Sequence, residues 1–242
     1  MKKKILMFCN TAEGLPGVPV DIFSYYSFFT GPTGGSWNHD EIDIRRNPTK
    51  RDLFKKIDAI RDGNYDYVIT IFAGYGEEDD SGPTLIINEH GESIEIGHLM
   101  NLSQRQVIVS DCCREYRPAS SDFAFNKTGA TMLSMSRNRI RQAYEDRIEA
   151  STPQEVILYA CDTGEAAKDS LSYSLFLLRA TQLALVHSSS QFVSVNQAHN
   201  KAVSLMQATS QTQQHPQIQQ SRCSIHRRLP WAINPCLWGS DE

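Results

Sequence analysis

The chain has 242 residues, with 24 Lys+Arg against 28 Asp+Glu and a formal charge of −4 at pH 7. Hydrophobic residues make up 40% and charged residues 21%, a globular composition that excludes disorder over most of the length. No net positive potential is available, which argues against nucleic acid or an anionic membrane as a partner held by bulk charge.

Met1–Asn10 opens with three lysines, but its apolar run, Ile5–Cys9, is shorter than the ~7–15 residues of an export signal. No run approaches the ~20 apolar residues that cross a bilayer. The segment reads as the first strand of a cytoplasmic protein. Further along, nearly continuous apolar runs at Tyr65–Ala73, Gln106–Asp111 and Glu155–Ala160 join Lys4–Cys9 as strands buried on both faces of a parallel sheet. A weaker strand is expected at Glu41–Arg45. A hairpin, Thr84–Asn88 with Ser93–Ile96, is expected outside the main sheet.

Helices are predicted at Val20–Phe29, Lys50–Asp62, Ser170–His187 and Phe192–Ala208. The second carries Leu53, Phe54, Ile57 and Ile60 on one face, with Thr49 as N-cap and Gly63 as stop signal. The third is apolar nearly all round and reads as buried. Arg114–Ser151 and Ser210–Gln220 read as surface linkers, 114–152 being the flexible one, with a surface helix over Arg137–Glu149. The alternation β-α-β-α-β-α predicts one α/β domain over residues 1–242: a three-layer sandwich, mainly parallel central sheet, helices on both faces.

The six cysteines contain no C-x-x-C pair and no finger spacing, so neither a disulfide framework nor a zinc site is expected. Chemistry in open α/β sheets gathers beyond the carboxyl ends of the strands. Two such ends are unusual. One is Ala73-Gly74-Tyr75-Gly76-Glu77-Glu78, where a strand enters a turn with glycines on both sides of a tyrosine. The other is Ser110-Asp111-Cys112-Cys113-Arg114, which delivers an acid, two thiols and an arginine.

This pair of motifs resembles the caspase-type cysteine peptidases, closest to the metacaspases and the bacterial orthocaspases. There, one strand end supplies a catalytic histidine from a Ser-Gly-His-Gly-like turn. The next supplies the nucleophile from Asp-x-Cys. The resemblance implies Cys113 as nucleophile, Tyr75 at the histidine position, and the backbone N–H groups of Cys113 and Gly76 as oxyanion hole. It places Asp21, from Leu15-Pro16-Gly17-Val18-Pro19-Val20-Asp21, in an acidic first subsite with Asp111. Ala73 stands at the turn's serine position, and Cys161 and Asp162, from Tyr159-Ala160-Cys161-Asp162, border the same pocket. Tyr173-Ser174-Leu175-Phe176 is similar to the helix behind it. Gln214-His215-Pro216-Gln217 and Leu229–Ile233 are similar to the family's closing segment and final strand. A caspase-like sandwich cleaving after Arg or Lys is the implied protein.

The departure lies at the centre. An imidazole with pKa ~6.5 exchanges protons near neutral pH. A phenol with pKa ~10 is about one part in a thousand ionised at pH 7, a handicap of roughly 4 kcal/mol for a base. Turnover is therefore expected to be weak or lost. The alternative is a pseudo-peptidase that binds a basic peptide or an active paralogous protease as a regulator. A phosphatase or redox enzyme using Cys113 is disfavoured, because Ala119 stands where a Cys-x5-Arg loop needs arginine.

Neither His90 nor His98 is expected to replace the missing base. No cofactor is expected, and calcium is not supported: Glu77–Asp80 reads as a solvated acidic loop. Arg137, Arg139, Arg141 and Arg147 read as the exposed face of a helix. The expected partner is a peptide or protein substrate with basic residues, and regulatory partners are expected as separate chains.

Overall fold

A computed structural model describes residues 1–11, 15–79, 82–113, 134–165, 172–187, 190–209 and 214–237. Its centre is a sheet in the order β2-β1-β3-β6-β7-β9. β1 (Lys3–Cys9), β2 (Ile42–Arg46), β3 (Tyr67–Asp79), β6 (Arg105–Cys113) and β7 (Gln154–Tyr159) run parallel. β9 (Gln217–Gln220) closes the edge antiparallel to β7.

Side-chain alternation divides the strands between two cores. Ile5, Met7, Ile69, Ile71, Val107 and Val109 face one side. Leu6, Phe8, Val68, Phe72 and Ile108 face the other. The first core takes α1 (Gly17–Thr30), α3 (Ser134–Glu149), α4 (Tyr173–His187) and α5 (Val195–Ala208). The second takes α2 (Lys50–Arg61), whose Leu53, Ile57 and Ile60 are buried, and the 3-10 turn Ile96–Leu99. Thr49 caps α2 by accepting the Asp52 N–H at 3.2 Å. Ser194 and Gln197 form a capping box on α5. The expected three-layer α/β sandwich is present, more heavily helical on one face.

Four local expectations are corrected. The hairpin of β4 (Gly82–Ile86) and β5 (Ser93–Glu95) is joined to the main sheet, because β3 runs past Ala73 to Asp79 and β4 pairs with that extension. Residues Phe192–Ser194 are a strand, β8, which pairs with β10 (Pro230–Ile233) in a separate two-stranded sheet before α5 begins. The Gln-rich stretch contains β9, whose polar residues suit an exposed edge strand. Within 114–152, α3 packs Ile140, Tyr144 and Ile148 into the first core. Residues 114–133 lie outside the described residues.

The arginines of α3 explain why its charged sequence misleads. Arg141 donates to Glu41 through both terminal nitrogens, at 2.7 and 2.6 Å, and pairs with Glu145 at 3.0 Å. Arg147 donates to the Arg228 carbonyl at 3.0 Å. These two are half-buried tethers rather than a solvated face. On β1, the fully buried Lys3 ammonium sits 3.0 Å from Glu145 and 4.4 Å from the Trp37 ring centroid.

Candidate active site

β3 and β6 run side by side from Val68↔Gln106 to Tyr75↔Cys113, with Ala73↔Asp111 and Gly74↔Cys112 between. The two unusual strand ends are therefore register partners. The glycines around Tyr75 lie within a strand rather than a turn, and their role is space. Gly74 has φ +152°, and a Cβ there would meet the Asn10 Cβ at 3.0 Å. A Cβ on Gly76 would come within 2.5 Å of the Cys112 sulfur. Cys112 is buried in the second core. Tyr75 is half-buried and packs against the first core.

Asn10 ties this corner together. Its backbone N–H donates to the Ala73 carbonyl at 3.1 Å, and its side-chain amide donates to the carbonyls of Ile86 and Asn88 at 3.1 and 3.2 Å. Only Asn or Gln presents an amide that can make these last two bonds from a strand end.

The two acids meet at the amino end of α4. Ser172 caps that helix, its Oγ accepting the Leu175 N–H at 3.3 Å, and it donates to Asp21 Oδ1 at 2.8 Å. Ser174 donates its backbone N–H to Asp111 Oδ2 at 2.8 Å and its hydroxyl to the same oxygen. Asp21 is 9% and Asp111 7% exposed. Carboxylates at a helix amino end gain from its unsatisfied N–H groups and dipole. Their charge is felt nearby: burial first, and then Asp111, push the phenols of Tyr25 and Tyr173 well above the usual range. Tyr173 in turn bonds His199 Nδ1 at 2.7 Å, and burial lowers that imidazole to about 4.

The loop after β7 forms the remaining wall. Buried Cys161 points its thiol at the carbonyls of Cys112 (3.6 Å) and Glu165 (3.4 Å). Glu165 accepts the Asp162 N–H at 3.2 Å, the His215 N–H at 2.9 Å, and lies 2.5 Å from the His215 ring nitrogen. Burial alone would raise the Glu165 carboxyl, but the hydrogen bonds from His215 and Asp162 outweigh it and hold the group below its usual range. Gln214 donates to the Ala160 carbonyl at 2.6 Å. The Gln214-His215 motif thus acts as a strap on this loop.

Asp162 is exposed and lines a separate groove of about 300 Å³ with Glu78, Tyr159 and Thr163, where Thr163 donates to Glu78 at 3.2 Å. Among the site residues expected from sequence, Ala73, Tyr75, Asp111 and the backbone of Cys113 therefore come together where the end of β6 pairs with β3. Asp21 joins Asp111 at α4, Gly76 borders Cys112, Cys161 lies beneath the Cys112 carbonyl, and Asp162 faces the groove. Arg114 lies outside the described residues.

The histidines sit elsewhere. His98 packs edge-on against Phe54, with ring centroids 4.9 Å apart, on the α2 side of the sheet. His90 is exposed, 3.9 Å from Glu89. Glu77 and Glu78 are exposed, and among the described residues no group of three or more His, Cys, Asp or Glu side chains is placed to hold a metal ion. No described helix is long and apolar enough to cross a membrane.

Sequence reading missed Asn10, Glu165, Ser172 and Ser174. The two serines were legible in principle, since a Ser-x-Ser pair just before an apolar helix is a capping pattern. Starting the helix at residue 170 hid it.

A sequence model described as the caspase domain matches residues 3–225. Solved structures with the same fold include protein GSU0716 from Geobacter sulfurreducens, at TM-score 0.56 and 13% identity, covering 96% of this chain and 99% of that one. Caspase-1 from Spodoptera frugiperda aligns at TM-score 0.56 and 10% identity, over 90% of this chain and 86% of that one. The Drosophila initiator caspase Dronc aligns at 0.53 and 10%, over 96% and 83%. No curated protein matches the sequence significantly.

Proposed function

The chain belongs to the caspase-domain family, and from that premise we propose that it is built as a cysteine endopeptidase for substrates with Arg or Lys before the cut, slowed at its centre by Tyr75. The observation that supports this reading is the register pair Tyr75↔Cys113, set two positions beyond Ala73↔Asp111. On this reading the nucleophile and the proton-exchange group belong to adjacent strands, with an acid two residues before the thiol.

In this mechanism Cys113 attacks the scissile carbonyl as thiolate, and its own N–H with that of Gly76 stabilises the oxyanion. Asp21 and Asp111 hold the basic side chain of the substrate and so set the carbonyl over the sulfur. Tyr75 can donate a proton to the leaving amine but is a poor acceptor for the thiol proton at neutral pH. The thiol step therefore limits turnover. No cofactor is required. Calcium is not assigned a site.

The same substitution favours a second reading, a pseudo-peptidase that keeps the acid pocket and binds a basic peptide or an active paralogous protease. Labelling with a thiol-reactive peptide ending in arginine separates the two. An adduct on Cys113 supports the peptidase, and arginine-dependent binding without an adduct supports the regulator. Indifference to arginine overturns both.

A further inference from the structure

We infer that Ser172 and Ser174 are positioning residues for the acid pocket, the amino end of α4 acting through them to orient Asp21 and Asp111 toward a basic side chain. This rests on the proposed basic first subsite and deepens it.

Two nearly buried carboxylates on different elements both bond to the first residues of one helix: Asp21 to the Ser172 hydroxyl, Asp111 to the Ser174 N–H and hydroxyl. Each serine is itself buried. Two carboxylates sharing a poorly solvated corner repel one another, which favours protonation of one of them. A protonated pair would attract a guanidinium or ammonium far less. Hydrogen bonds donated to a carboxylate oppose that protonation, and those from a helix amino end do so with the dipole aligned.

Titratable groups that feel Asp111 include Tyr25 on α1 and Tyr173 on α4, and Tyr173 bonds His199 on α5. The two phenols are held neutral and His199 is held neutral at pH 7. None of the three is a cation that could stabilise the acids. The two serines also fix direction. With Oδ2 of Asp111 taken twice by Ser174, the carboxylate cannot rotate freely about its bond to Cβ.

The test is binding rather than turnover, because Tyr75 slows chemistry. Fluorescence anisotropy would compare a labelled tripeptide amide carrying one arginine with the same peptide carrying norleucine, from pH 5 to pH 8. The wild type is expected to prefer arginine, and Asp111→Asn to lose that preference. Ser174→Ala is expected to weaken the arginine peptide about tenfold at pH 7 and to move the midpoint of its pH dependence upward. Ser174→Thr, which keeps the hydroxyl, is expected to restore both, a rescue that a merely structural role would not show. Ser172→Ala, acting on Asp21, is expected to weaken binding in the same direction and carries the test if Ser174→Ala fails to fold. Arginine preference lost in Asp111→Asn but intact at every pH in the folded serine variants overturns the positioning role alone. A wild type indifferent to arginine overturns the basic pocket and this inference together.

Discussion

Tyr75, within β3, and Cys113, the last residue of β6, are register partners and form the last of eight consecutive pairs between the two strands. On the proposed reading, Tyr75 takes the place of the base that would serve Cys113, so the prediction turns on the proton acceptor.

Restoring the acceptor is the direct consequence. Tyr75→His is expected to raise cleavage of an arginyl fluorogenic peptide by roughly 10²–10⁴-fold, the usual contribution of a placed general base. Tyr75→Phe is expected to leave the wild-type rate within a few-fold. Steady-state kinetics on the three proteins checks this, and a Tyr75→His variant no faster than wild type would mean that the tyrosine is not the limiting defect.

Packing beside the site predicts a coupled pair. Gly76→Ala puts a methyl 2.5 Å from the Cys112 sulfur, so overpacking is expected to cost about 1–3 kcal/mol. Trimming the neighbour in Gly76→Ala/Cys112→Ala should recover part of that loss. Urea melts of the two single variants and the double variant give the coupling energy, expected near 1 kcal/mol in the relieving direction. Strict additivity would contradict the contact.

The charged cluster behind α3 predicts an asymmetry. Lys3→Met leaves Glu145 paired with Arg141 at 3.0 Å, whereas Glu145→Leu takes from a fully buried ammonium its carboxylate at 3.0 Å, leaving the rings of Trp37 and Tyr144 at 4.4 and 5.9 Å and the more distant charge of Glu41. Breaking a buried pair from the carboxylate side is expected to cost about 3–5 kcal/mol. The Lys3→Met loss should be clearly smaller, because a methionine fits the apolar surroundings and no charge is stranded. Chemical denaturation would show the order, and equal losses would refute it.

His199 gives stability a pH signature. Burial lowers its imidazole to about 4 from an ordinary 6.5, so between these values the unfolded chain binds the extra proton and the folded chain does not. This contribution is complete above about pH 6.5 and is lost as pH falls toward 4, by at most about 3 kcal/mol. Stability of wild type and His199→Phe, measured from pH 7 to pH 4.5, should show a steeper decline in the wild type. Parallel curves would remove His199 from the account.

The strands of the parallel sheet were legible because each is a continuous apolar run, and burial on both faces demands that pattern. The end of β6 was legible because the charge of Asp111 after such a run has little reason to be there for packing, whereas Cys112 packs into the second core. What the pattern hid was of three kinds. β3 continues through Gly74-Tyr75-Gly76 although two glycines read as a turn; their small size admits Asn10 and the Cys112 sulfur instead. β9 is written in glutamines because it is an exposed edge, so no apolar alternation marks it. α3 looked like a solvated face because its arginines meet Glu41, Glu145 and the Arg228 carbonyl, partners far off in the chain or hidden by the fold. The partnership of Asp21 and Asp111 with Ser172 and Ser174 spans 151 and 63 positions, a contact that no local spacing rule can reveal.

The central claim is tested most directly by treating wild type, Tyr75→His and Asp111→Ala with a peptidyl-arginine acyloxymethyl ketone and locating the adduct by intact mass and peptide mapping. The account predicts a single thioether on Cys113, forming slowly in the wild type and much faster in Tyr75→His, with Asp111→Ala unlabelled over the same time. Modification of a different cysteine, or an unlabelled Cys113 in folded Tyr75→His, would contradict it.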